Sequence, residues 1–152
     1  MSSNDLSQVR DYILARMAVV EPDFQEWQDS LAEIGNIPNV LLDKTFQIEL
    51  QETVSTEQID KHIQEEQQVI ISVFKRGYNT PLEARDSLLQ TANCIRLDLI
   101  KPLNVEAYKA AQDGNIEKVV SLGLTPSEID ISNDNIIKVE IGLSVVLLLA
   151  ST

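Results

Sequence analysis

Val69 to Ile100 reads VIISVFKRGYNTPLEARDSLLQTANCIRLDLI, and this stretch decides the fold. Val69 to Phe74 is short, β-branched and apolar except for Ser72, the signature of a strand covered on both faces. Lys75-Arg76-Gly77 ends that pattern, and Tyr78-Asn79 leads into a turn. Thr80-Pro81-Leu82-Glu83 then predicts a helix start. Proline at the first helical position has no N–H to waste, the Thr80 hydroxyl can accept from an exposed amide, and Glu83 can reach back to the Thr80 amide. On that reading, loss of the Thr80 hydroxyl costs about 1 kcal/mol. Leu88, Ala92, Ile95 and Leu99 recur at spacings of three and four and form one apolar stripe, while Arg85, Asp86, Gln90 and Asn93 fall on other sides. Lys101-Pro102 stops the helix, because the residue before a proline is pushed out of helical angles. The unit is a buried strand, a turn, and a helix laid back on the sheet.

Working toward the N-terminus, Thr45 to Gln51 alternates. Phe46, Ile48 and Leu50 lie on one side and Thr45, Gln47, Glu49 and Gln51 on the other, which predicts a half-buried strand. Between the two strands, TEQIDKHIQEEQQ places Ile59 and Ile63 four apart. That spacing predicts a short acidic helix, with a loop as the alternative. Glu65-Glu66 reads as a solvated face. Leu6, Val9, Ile13 and Met17 predict a first helix ending near Val20, with Ser3 or Asn4 as its cap. Residues 21–40 read as a loop or short helix pinned to the body by Phe24 and Trp27, an anchoring role weighed above a binding platform for Trp27.

Toward the C-terminus, Val105, Tyr108 and Ala111 fit a helical turn. Asp113-Gly114-Asn115 signals a turn and Ile116 to Leu122 a short strand. Thr125-Pro126-Ser127 reads as a connection and Ser132-Asn133-Asp134-Asn135 as a second turn. IIKVEIGLSVVLLLA then alternates over nine residues, with Ile137, Val139, Ile141, Leu143 and Val145 on one face. Val146 to Leu149 is apolar on both faces, so it is covered either by a helix of its own domain or by another subunit. The whole is expected to be one α+β domain over residues 1–152, with a mostly antiparallel sheet of about four strands packed by helices on one side.

Composition bounds the function. The net charge of −12 opposes adhesion to nucleic acid and to anionic membrane, which reward basic patches. Cys94 is the single cysteine, so an internal disulfide is excluded; it reads as a buried or half-buried thiol. His62 is the one histidine, and without a second His or a Cys cluster a metal site is not expected. Asp130 and Asp134 as magnesium ligands are set aside as ordinary loop acids. There is no P-loop, dinucleotide fingerprint or nucleophile elbow, and no cofactor is expected. No signal peptide and no membrane-length apolar run are read in the sequence. The reading is non-enzymatic.

The helix LSQVRDYILARM, the strand TFQIELQE, the run QQVIISVFKR with its helix PLEARDSLLQTANCIRLDLI, and the closing DISNDNIIKVEIGLSVVLLLAS follow one another in an order that resembles bacteriophage tail terminator (tail completion) proteins, and more loosely other phage neck proteins. The likeness lies in the order of these pieces, none of which is a strict signature, and Phe24 to Val40 adds nothing to it. The resemblance implies a structural virion protein. It would assemble with copies of itself into a hexameric ring, cap the tail tube protein, and present a surface to head connector or neck proteins. DNA would pass through the lumen without specific binding. On that basis Phe46, Ile48, Val146 and Leu148 are expected at the subunit interface. Glu49, Glu52, Glu57 and Glu65 are expected to line the lumen or dock to the tube. A head-proximal connector or stopper protein and a small soluble adaptor are the alternatives.

Overall fold

The alternation in IIKVEIGLSVVLLLA becomes the middle of the molecule. A computed structural model describes residues 7–27, 43–59, 62–77, 80–112, 114–131 and 134–150. In it the elements run α1 (Ser7–Val20), β1 (Gln25–Glu26), β2 (Thr45–Ile59), β3 (His62–Arg76), α2 (Pro81–Leu99), α3 (Pro102–Gln112), β4 (Ile116–Ile131) and β5 (Asp134–Ala150). The fold is α+β. Its sheet has five strands, one more than expected, in the order β1-β2-β3-β5-β4. Only the β1–β2 pairing is parallel.

Register assigns the faces. Val69 pairs with Leu143, Ile71 with Ile141 and Val73 with Val139, and on the other side Phe46 pairs with Val73 and Ile48 with Ile71. Paired residues share a face in an antiparallel ladder, so these side chains form one apolar floor. Leu88, Ala92, Ile95 and Leu99 of α2 lie on it, fully or almost fully buried, as the stripe in the sequence requires. Val9, Tyr12, Ile13 and Met17 of α1 and Val105 of α3 complete the same core.

Polar ties fix the helices to one another. The Tyr12 hydroxyl donates to the Leu99 carbonyl at 2.7 Å, where α2 leaves its last carbonyls without helical partners. Arg16 grips Asp98 with two bonds of 2.7 and 2.9 Å. The Tyr12 and Tyr108 rings meet edge to face at 5.3 Å, which seats α3 beside α1. At the corner between α3 and β4, the Asn115 amide donates to Gln8 Oε1 at 2.7 Å.

Four local expectations are corrected. Residues 52–59 and 62–66 form neither a helix nor a loop but the distal half of the antiparallel β2–β3 pair. Gln58 pairs with Ile63 and Ile59 with His62 across it. Ile59 and Ile63 thus lie on two different strands, not on one helix face. Thr125-Pro126-Ser127 is not a connection; it lies within β4, where an edge position tolerates a proline that has no amide to give. Thr80 precedes α2 as expected, yet its side chain makes no capping hydrogen bond, and its backbone sits at φ −130° and ψ 62°. Only its carbonyl serves the helix, accepting from Ala84 at 3.0 Å. Cys94 is exposed, not buried. The expected cap of α1 at Ser3 or Asn4 lies outside the described residues.

Bulges shape the long strands. Between Leu50–Val69 and Thr53–Gln67, β2 carries one residue more than β3. The buried Gln67 side chain answers this irregularity, since its amide donates to the Gln51 and Gln68 carbonyls. In β4 the extra residue is Leu122, and Gly123 after it has φ +116°, a conformation glycine adopts without Cβ strain. Among the described residues no helix is long and apolar enough to cross a membrane.

Candidate interaction surface

The register that builds a helix-covered face also defines a second face on which, among the described residues, no helix packs. Thr45, Gln47 and Glu49 of β2, Gln68, Ile70 and Ser72 of β3, Glu140, Ser144 and Val146 of β5, and Lys118 and Val120 of β4 belong to it. One row across this face reads Val54, Glu66, Val146, Lys118. Val54 and Val120 are 45% and 41% exposed there, and Leu122, in its bulge, is 58% exposed. None of these three apolar positions was singled out from the sequence. For Val54 the missing signal is recognition of residues 52–59 as a strand; Val120 and Leu122 fall in the strand read over Ile116 to Leu122, and only its register against β5 places them.

The expected interface residues divide. Phe46 faces the helices and is spent in the protomer's own core, so it is not an outward residue. Ile48 shares that face but is only half-buried. Val146 lies on the opposite face, away from the helices, and is nevertheless buried among its strand neighbours. Leu148 is half-buried on the same face as Val146. Ile48 and Leu148 therefore keep area that a second chain could cover.

The four acids are not brought together. Glu49 is exposed and pairs with Ile70 on the open face, and Glu52 is exposed within the bulge. Glu65 is half-buried, has the parity of the helix-covered face through its pairing with Leu147, and accepts from Ser55 Oγ at 3.3 Å. Glu57 pairs with Gln64, and its side chain lies outside those described. Five residues separate Ile70, the partner of Glu49, from Glu65, or about 17 Å of strand. The hairpin is acidic over its length: residues 49–68 hold six acids against one lysine. Its charge is spread along a ribbon and over both faces.

Where β1 stops, the sheet edge opens into a cleft of about 430 Å³ lined by Arg10, Glu26, Trp27, Gln47 and Ile48. Arg10 reaches from α1 to donate to Glu26 Oε1. Among the described residues, Glu26 Oε2 and Trp27 Nε1 are buried here without a hydrogen-bond partner. Trp27 is half-buried, and its backbone amide donates to the Phe46 carbonyl at 2.7 Å, so its main chain is held at the root of the edge.

Among the described residues no three His, Cys, Asp or Glu side chains come together as a metal site. His62 is exposed at the start of β3. The side chains of Asp130 and Asp134 lie outside those described.

No protein-family model matches this chain, and no curated protein matches it.

Proposed function

We propose that this chain is a structural subunit without catalytic activity. It closes with copies of itself into a ring, caps a bacteriophage tail tube, and offers the ring to the head side while DNA moves through the centre. The observation that carries the reading is the division of the sheet into a helix-covered face and an open one, with a long acidic hairpin extending from both. A rigid core of this kind suits repetition by rotation, in which a patch on one copy meets a different patch on the next. Ile48, Leu148, Val54, Val120 and Leu122 supply apolar area outside the core for that contact. Six acids along residues 49–68 favour a passage to which DNA does not adhere, because carboxylate and phosphate repel over roughly 8–10 Å at physiological ionic strength.

The test is assembly. Negative-stain images of the purified protein with isolated tail tubes are expected to show a ring seated on one tube end. Binding to filled capsids and not to tubes would transfer the protein to the connector side. A stable dimer at every concentration, with no engagement of tubes, would replace this reading with that of a small adaptor. Neutralising Glu49, Glu52 and Glu57 as glutamines is expected to slow DNA ejection; unchanged ejection would remove the acids from the lumen.

A further inference from the structure

We infer that the cleft beside β1, together with the edge of β2 that leads away from it, receives a short extended peptide segment of a partner carrying a lysine or arginine. Two buried polar atoms define what must enter. Among the described residues Glu26 Oε2 lacks a donor and Trp27 Nε1 lacks an acceptor, and both residues line one cleft of about 430 Å³. A basic side chain supplies the donor, and a peptide carbonyl supplies the acceptor. A phosphate would satisfy Trp27 but meet the Glu26 carboxylate; a metal ion would face the Arg10 guanidinium and the indole N–H, both of which repel it.

The edge gives the segment its shape. β1 covers β2 only at Thr45 and Phe46, and among the described residues no strand flanks β2 on that side from Ile48 onward. Such an edge presents a row of amides and carbonyls that an extended chain can continue. The bulge at Gln51 and Glu52 limits the regular stretch to Ile48–Leu50, enough for about three residues. Leu50, 39% exposed and on the same face as Ile48, offers an apolar seat two positions from the cleft. Glu49 and Glu52, both exposed, select a basic segment. The opposite edge of the sheet is built differently. β4 is interrupted by Pro126 and by extra residues at Glu117 and Leu122, and it carries exposed Lys118, features that turn pairing away.

Trp27 is the only tryptophan in the chain, so fluorescence excited selectively at tryptophan reports on this cleft alone. The probe is the blocked peptide acetyl-Thr-Lys-Thr-Leu-Thr-amide, which puts a basic and an apolar side chain on one face. It is expected to shift Trp27 emission saturably. The same peptide with Glu for Lys, or with Pro for the middle Thr, is expected to bind at least roughly tenfold more weakly. Glu26→Gln is expected to weaken the lysine peptide by roughly tenfold. The double substitution Glu49→Gln with Glu52→Gln changes only exposed side chains, and it is expected to weaken binding several-fold and flatten its salt dependence. No saturable shift would overturn the inference. So would equal binding of the proline peptide, or indifference to both the Glu26 and the double substitution. The experiment needs only a monomer, so its failure leaves the ring reading standing, and failure of the ring leaves this cleft standing.

Discussion

Tyr12 carries a polar atom into the core and satisfies it there. Its hydroxyl is 2.7 Å from the Leu99 carbonyl, and the side chain is almost fully buried. Burial first, and the nearby Asp98 carboxylate second, push the phenol up to about 12 from 10.0. The proton is therefore held more tightly in the folded chain than in the unfolded one. Below pH 10 both states keep it and the contribution is whole. Between pH 10 and 12 the unfolded chain releases it first, and about 2 to 3 kcal/mol of stability drains away. Urea titrations from pH 9 to 12 are expected to show this decline in the wild type. Tyr12→Phe should be about 1 kcal/mol less stable at pH 8, from the lost hydrogen bond, yet fall less steeply above pH 10. Thr80 gives the opposite lesson. Its hydroxyl makes no capping bond, so Thr80→Ala is expected to change stability by less than about 0.5 kcal/mol, against the roughly 1 kcal/mol of a working cap. Chemical denaturation distinguishes the two values.

At the scale of elements, what was legible depended on where apolar residues mark the period. Ile137 to Val145 alternates against Lys138, Glu140 and Gly142, and β5 followed; Leu88, Ala92, Ile95 and Leu99 recur by three and four, and α2 followed. Residues 52–66 hold only Val54, Ile59 and Ile63 as apolar residues, at spacings of five and four, so no period of two shows. Ile59 and Ile63 happen to mimic a helix although they lie on two paired strands. Pro126 misled for a different reason, since a proline is informative only once a strand is known to be an edge. The acidity of residues 49–68 was visible as composition, but the separation of Glu49 from Glu65 depends on register. The cleft takes Arg10, Glu26 and Ile48 from three elements, and no local pattern joins them. The hairpin also makes a prediction of its own. Gln67→Ala removes the amide that holds the bulge carbonyl of Gln51. It is expected to cost about 1 to 2 kcal/mol and to speed hydrogen exchange in the amides of residues 52–58, with α2 unchanged.

For the molecule as a whole, the order β1-β2-β3-β5-β4 separates neighbours in space from neighbours in sequence. β3 and β4 are joined through α2 and α3, yet they never pair; β5 stands between them and pairs with both. A fragment ending at residue 133 is therefore expected to lack cooperative unfolding in urea and near-ultraviolet dichroism, although every helix and four of the five strands remain in its sequence. The same order has a consequence during translation. Until residues 134–150 have left the ribosome, β3 and β4 each wait with a raw border meant for β5, and the hydrophobic floor between them is open. At roughly 5–20 residues per second β4 waits about one to four seconds and β3 about four to fifteen. In that interval the nascent chain is at its stickiest, so synthesis, more than the finished protein, is where chaperones are needed.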